Sequence, residues 1–126
     1  MLATSCEHAF ADLGGIAPGR LNDAQSLGTL SLAAANAAGL QPVAPPIAQS
    51  GPDGVVILLA CHGGHVAIHA VPDTGTCFAD IATVGKGTPQ RGLDVITRRL
   101  DARDIRTDAR HRTPAAPPST THSERK

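Results

Sequence analysis

Four side chains that can take part in acid–base, nucleophilic or metal chemistry lie close together near the middle of the sequence. Cys61, His62, His65 and His69 are separated by no more than eight positions. An apolar run at 55–60 leads into this segment, and a Val-Pro-Asp-Thr-Gly sequence at 71–75 ends it. Imidazoles and thiols exchange protons and bind metals near neutral pH. If the chain has chemistry, we expect it here.

A metal site is one interpretation of this segment. The spacings of three and four residues would place the imidazoles on one helix face, but two glycines and β-branched neighbours favour a strand. On a strand His65 and His69 share a face with Cα atoms about 13 Å apart, which is too far for one ion. The sequence leaves open a set made by Cys61, His62 and His65, or by the first two with Asp80 or His8.

A cysteine nucleophile is a second interpretation. Nearby imidazoles can stabilise the thiolate of Cys61. A single cysteine at the end of a buried strand is, however, more often a small hydrophobic residue, and strand histidines often only hydrogen bond. Spacing alone therefore favours a structural role for these side chains.

Composition narrows the class of protein. The chain has 126 residues, a formal charge of zero and no Trp or Tyr, so we expect one domain without a stacking platform for nucleic acid. Its basic residues are concentrated after residue 90 but alternate with acids, which predicts a solvated surface. No run approaches the roughly 18 apolar residues of a membrane span. Three cysteines without paired spacing fit a reducing compartment, and we predict a cytoplasmic protein without membrane or nucleic-acid partners.

Periodicity and turn residues predict an α+β fold. Apolar alternation and helix-capping signals give the order β-α-β-β-β-β-α-β, an antiparallel sheet with two helices packed on one face. The other face would need covering, most simply by a second copy, which predicts a homodimer. We expect one domain over residues 1–110 and a disordered tail over 111–126. The predicted strands are 3–13, an irregular edge strand at 41–47, 55–61, 65–71, 76–84 and 105–107; the helices are 23–38 and 88–102.

The central segment and the order of elements resemble one known family. The matching pieces are Asp-Gly-Val-Val-Ile at 53–57, Ala-Cys-His at 60–62, Val-Ala-Ile-His-Ala-Val-Pro-Asp-Thr-Gly at 66–75 and Thr-Val-Gly at 83–85. The Ile-His-x-x-Pro-(Asp/Glu)-x-Gly part is fairly specific. The chain resembles, over roughly residues 5–110, the small bacterial and archaeal S-adenosylmethionine decarboxylases of polyamine synthesis.

The resemblance implies a fold, a cofactor and a set of roles. In that family a proenzyme cuts itself before an internal serine, which becomes a pyruvoyl group that decarboxylates the substrate. By resemblance His69 is the processing histidine and Asp73 is the acid that meets the substrate. Val71 replaces the tryptophan that stacks on adenine, Asp53 replaces the serine that assists processing, and Val84 replaces the cysteine that donates a proton.

The position of the pyruvoyl-forming serine is ambiguous in this chain. Counting forward from the turn places Cys61 there, followed by His62. Counting backward from His69 places Gly64 there, followed by His65. A thiol can perform the same acyl shift and elimination, whereas glycine cannot.

The sequence therefore predicts an S-adenosylmethionine decarboxylase-like protein with several substituted catalytic positions. The catalytic candidates are Cys61, His69 and His62, and the substrate is S-adenosylmethionine or a related amine-bearing small molecule. Two alternatives stay open: a non-catalytic homologue that acts as a binding or regulatory subunit, and a Cys/His metal-binding protein.

Overall fold

The computed structural model describes residues 4–115 and forms one antiparallel sheet with two helices. The predicted α+β class and element order are confirmed. The strands are β1 Cys6–Gly14, β2 Ile47–Gly51, β3 Gly54–Cys61, β4 Gly64–Val71, β5 Thr76–Val84 and β6 Asp104–Arg112, and the helices are α1 Ala24–Ala38 and α2 Pro89–Arg99.

The strands lie in the order β2-β3-β4-β5-β1-β6, and every neighbouring pair is antiparallel. Strands β2 to β5 are joined as successive hairpins, whereas β1 enters beside β5 from the start of the chain. This order places the N-terminal strand β1 beside β5 and one strand away from β4. It is the feature on which the side-chain cluster described below depends.

Both helices pack on the same face of the sheet, as predicted. Helix α1 lies over β2, β3 and β4, α2 lies over β1 and β5, and the two helices contact each other. Their apolar positions face the alternate residues of the strands and exclude water from one continuous core. The central members of this core are Leu27, Leu30, Ala34, Ile57, Leu59, Val66, Ile68, Ile81, Leu93 and Ile96.

Helix α1 begins and ends at the residues that the sequence indicated. The Asp23 carboxylate accepts hydrogen bonds from the Gln25 amide and the Ser26 hydroxyl, and these bonds hold the pKa of Asp23 below its usual value. Gly39 ends the helix in the left-handed conformation, with φ of 83°, which glycine adopts without a Cβ penalty. The predicted boundaries at 23 and 38 are correct to one residue.

The two edges of the sheet differ from the prediction. The edge strand β2 begins at Ile47 rather than at residue 41, because prolines at 42, 45 and 46 cannot supply the amide donors of a regular strand. The last strand, expected at 105–107, runs from Asp104 to Arg112 because it pairs with the full length of β1. Residues 111 and 112, placed in the tail from sequence, are in this strand, and positions 116–126 of that tail lie outside the described residues.

The second face of the sheet carries no helix in the part of the chain that the structure describes. We call it the open face; it carries the alternate residues of all six strands that point away from α1 and α2. Four large apolar side chains on it are roughly half exposed or more, from 49% to 66%. They are Ile47, Leu58, Phe78 and Val84.

Candidate active site

The predicted catalytic residues lie on the β3–β4 hairpin, some at its turn and others near its opposite end. The hairpin turn is formed by His62 and Gly63, with a φ of 67° at Gly63, and Cys61 lies opposite Gly64 where the strands meet. His69 lies opposite Val56, five residues before Cys61 on β3. At about 3.3 Å per residue, that places His69 roughly 16 Å from Cys61 along the hairpin.

Cys61 and His69 also point to opposite faces of the sheet. Cys61 follows the buried alternation of Val55, Ile57 and Leu59 and packs, half-buried, against the core. His69 lies among the residues of the open face on β4. The structure therefore does not bring these two candidates together.

The segment that leads to β2 forms two backbone hydrogen bonds with the residues on either side of Cys61. The Val43 amide donates to the Ala60 carbonyl at 3.0 Å, and the His62 amide donates to the Gln41 carbonyl at 2.9 Å. Burial raises the pKa of the Cys61 thiol above its usual value, which favours the protonated thiol. The carbonyl that a Cys61 thiol would attack is thus already polarised by an amide, while the thiol itself needs a base.

His69 is anchored at the other end of the hairpin. Its Nε2 lies 3.0 Å from the Asp53 carbonyl oxygen, and because a carbonyl can only accept, Nε2 carries the proton. The contact links β4 to the turn between β2 and β3. Asp53 thus meets His69 through its backbone, while its exposed carboxylate is not part of the contact.

A cavity of about 350 Å³ opens at this same end of the hairpin. Val71 and Asp73 lie on one side of it, where β4 passes into a single 3₁₀ turn, Pro72–Thr74. The opposite wall is the turn between β2 and β3. Among the described residues that line the cavity, Asp73 is the only one with a charged side chain. The lining residues are Asn22, Ser50, Gly51, Pro52, Gly54, Val55, Val71, Pro72 and Asp73.

The residues weighed as metal ligands are not arranged around one point. Cys61 faces the core, His62 lies in the exposed turn, and His65 is on the open face. Within residues 4–115, no group of three or more His, Cys, Asp or Glu side chains is placed to hold a metal ion. No helix in the same range is long and apolar enough to cross a membrane.

The S-adenosylmethionine decarboxylase family model matches residues 7–113 of the chain, which is nearly all of the described fold. The chain belongs to this family. An S-adenosylmethionine decarboxylase proenzyme from Brevibacillus brevis is 30% identical over 95 residues, covering 75% of this chain and 71% of that protein. The adenosylmethionine decarboxylase of Aquifex aeolicus has the same fold, with a TM-score of 0.80 at 21% identity over 94% of this chain and 98% of that one.

The family's pyruvoyl group fits only one of the two possible positions. Gly64 has no side-chain nucleophile, and a Cβ there would lie 2.3 Å from the Ala82 carbonyl oxygen and 2.8 Å from Leu40. Cys61 offers a thiol next to the polarised Ala60 carbonyl. A self-derived pyruvoyl group in this chain would therefore have to come from Cys61.

Sequence reasoning missed one group of titratable side chains. His8, His65 and Asp80 meet on the open face, with both imidazoles near the Asp80 carboxylate. His8 and Asp80 are distant in sequence, and only the strand order β4-β5-β1 brings them together. The alternation along each strand could have placed Asp80 on one face, but no signal in the sequence gives the neighbouring strand.

Proposed function

We propose that this chain is a pyruvoyl-dependent decarboxylase of the S-adenosylmethionine type, acting in polyamine (spermidine) synthesis on S-adenosylmethionine or a related amine-bearing compound. The observation that carries the proposal is that the positions matching the family's processing and substrate residues surround one end of a single hairpin. Asp53 and His69 are joined by a hydrogen bond, and Val71 and Asp73 line the adjoining cavity. The free cysteines of the described chain support a cytoplasmic, reducing setting.

The cavity supports a cationic substrate without a strong stacking contact. The Asp73 carboxylate attracts an ammonium group, while Asn22 and Ser50 offer neutral hydrogen-bonding groups. None of the described residues that line this cavity is aromatic, so they do not supply the roughly 1–3 kcal/mol typical of stacking an adenine on an aromatic ring. The absence of an aromatic partner would weaken the binding of a smaller amine-bearing substrate less than it weakens the binding of S-adenosylmethionine.

Self-processing would begin at Cys61. The Cys61 sulfur attacks the Ala60 carbonyl carbon, the 60–61 peptide bond breaks, and a thioester joins Ala60 to the sulfur. Loss of the Cys61 α-proton and cleavage of the Cβ–S bond then release Ala60 as a thiocarboxylate and leave dehydroalanine at position 61, which water converts to the pyruvoyl group with release of ammonia. The Val43 amide stabilises the negative charge on the Ala60 oxygen during the attack, and His62 is the nearest imidazole in sequence that can accept the thiol proton. When formed, the pyruvoyl group supplies the carbonyl that accepts the substrate's electrons.

Intact mass under denaturing conditions tests this function. We expect two fragments, residues 1–60 and a chain beginning at position 61 that resists Edman degradation because its amino terminus is blocked. Incubation with S-adenosylmethionine should then release CO₂. A single chain of 12.8 kDa with no CO₂ release would contradict the proposal.

A non-catalytic homologue is the second candidate, because one observation favours it. The thiol of Cys61 lies on the face opposite to His69 and is half-buried, so no family-like processing histidine reaches it within one subunit. In that case the cavity would bind the amine-bearing ligand without turning it over. The same mass measurement separates the two candidates, since a binding subunit stays in one piece.

We also propose a homodimer formed through the open face. The face exposes apolar side chains and carries charges of both signs, four aspartates and three arginines, so that opposite charges of two copies can pair. These charged residues are Asp12, Asp80, Asp104, Asp108, Arg106, Arg110 and Arg112.

The dimer gives a prediction with a matched control. Leu58 is 50% exposed on the open face, and Leu32 is 38% exposed on α1. Wild-type protein and Leu32→Glu should sediment at twice the 12.8 kDa chain mass, whereas Leu58→Glu should sediment as a monomer because it buries a charge at the interface. A wild-type monomer at high micromolar concentration, or a dimeric Leu58→Glu, would exclude this interface.

A further inference from the structure

The open face holds a carboxylate between two imidazoles. His65 on β4 and His8 on β1 both lie opposite Ala82 of β5, one on each side, so the small Ala82 side chain separates the two rings. Asp80 lies two residues away on the same face of β5. Its Oδ1 is 3.2 Å from Nε2 of His65 and 3.4 Å from Nε2 of His8.

The two imidazoles are not equivalent. Nδ1 of His8 lies 3.4 Å from a guanidinium nitrogen of Arg112, and because a guanidinium only donates, this Nδ1 must accept. This arrangement places a proton of His8 on Nε2, which faces Asp80. A second proton on His8 would point at the Arg112 cation.

His65 has no such restriction. Its Nε2 faces the same carboxylate, which places a proton there, and its side chain is 53% exposed. Within residues 4–115, its Nδ1 has no hydrogen-bond partner. His65 thus has the arrangement of an oriented acid–base residue, with one nitrogen held by a carboxylate and the other directed away from it.

The position of His65 suits the chemistry of the reacting end of the hairpin. It lies opposite Ala60, next to the peptide bond that self-processing would cut, and its side chain is on the open face with Val84, whereas the intact Cys61 side chain is on the core face. Val84 matches the family's proton-donating cysteine and has no proton to give. Any decarboxylation leaves an electron pair on the α-carbon when the bond to CO₂ breaks, and that pair must take up a proton.

We propose that His65, oriented by Asp80, is the proton donor of this protein; the inference rests on the proposed function. The electron pair on the substrate α-carbon takes the proton from Nδ1 of protonated His65, and the neutral ring then recovers a proton from water. Asp80 is a positioning residue that stabilises the charged ring and fixes its orientation. His8 supports Asp80 with a second hydrogen bond.

Two measurements on the full chain test the role. In ¹⁵N-imidazole spectra of the protein near neutral pH, we expect neutral His65 to carry its proton on Nε2, and Asp80→Ala to remove that preference. With S-adenosylmethionine as the probe, His65→Gln should lower kcat by about 10²-fold or more and flatten the alkaline side of the pH–rate profile, where wild-type His65 loses the proton that it donates. His111→Gln is the matched control, because His111 pairs with Glu7 on the other face and should change neither measurement.

The outcomes separate this role from the proposed function. A chain that stays uncut overturns both. A cut chain in which His65→Gln turns over at the wild-type rate overturns the donor role alone. A His65 tautomer that is unchanged by Asp80→Ala overturns the positioning role of the carboxylate.

Discussion

Replacing Cys61 with alanine should abolish self-cleavage completely, leaving a single 12.8 kDa chain. The expectation is all-or-none because alanine has neither the sulfur that attacks the Ala60 carbonyl nor the Cβ–S bond that later breaks. Cys61 is also the one thiol of the β3–β4 hairpin, which has no serine or threonine. Burial favours its protonated form, so cleavage should be slow near neutral pH and should accelerate as the pH rises and thiolate forms.

Cys61→Ser tests the same mechanism with a variant that keeps a nucleophile at position 61. A hydroxyl can attack the same carbonyl and leave in the same elimination, so this variant should still be cut, and the 1–60 fragment should end in a carboxylate. The wild-type fragment should carry a thiocarboxylate, heavier by the difference between sulfur and oxygen, until water hydrolyses it.

Cys6→Ala is a suitable control for these variants, since Cys6 is half-buried at the start of β1. Cys77 is less suitable because it is fully buried in the core, where desolvation raises the pKa of its thiol to about 12. If Cys61→Ala were still cut after residue 60, the thiol would have no part in the reaction. If the wild type and both Cys61 variants were all uncut, the chain would be the non-catalytic homologue.

The parts of the fold that follow local rules could be predicted from the sequence. The sequence predicts strand β5 over Thr76–Val84, as found, because alternation along it separates a buried face from an exposed one. The predicted bounds of helix α1 are correct to one residue because Asp23 and Gly39 mark its ends. The edges were less predictable, since the length of an edge strand depends on its partner as much as on its own residues.

The candidate site shows a different limit. The cysteine and histidines of the central segment are close in sequence, but a hairpin sends its alternate residues to opposite faces and its distant residues to opposite ends. The closeness of Cys61 and His69 in sequence therefore does not predict a contact between their side chains. Conversely, His8 and Asp80 are 72 residues apart in sequence and lie in contact, because strand order is set by the packing of the whole sheet.

Replacing Gly54 with alanine should destabilise the protein by about 3 kcal/mol. Gly54 begins β3 with φ of 111°, a conformation that residues with a Cβ rarely adopt. A Cβ there would also lie 2.2 Å from the Ala70 carbonyl oxygen, and that atom is fixed because it belongs to β4. The urea midpoint should fall accordingly, with little change in the slope of the transition.

Gly51→Ala is the matched control at the other end of the same turn. Gly51 has no positive φ, and a Cβ there meets nothing within 4 Å, so its free energy of unfolding should change by no more than about 0.5 kcal/mol. The comparison also concerns the site, because Gly54 follows Asp53, whose carbonyl holds Nε2 of His69. A Cβ at Gly54 must push β3 away from β4, so Gly54→Ala should weaken this hydrogen bond and change the His69 imidazole signals. Equal urea midpoints for the two variants would show that the turn relaxes without strain, and that the close approach of β3 to β4 is not what positions His69.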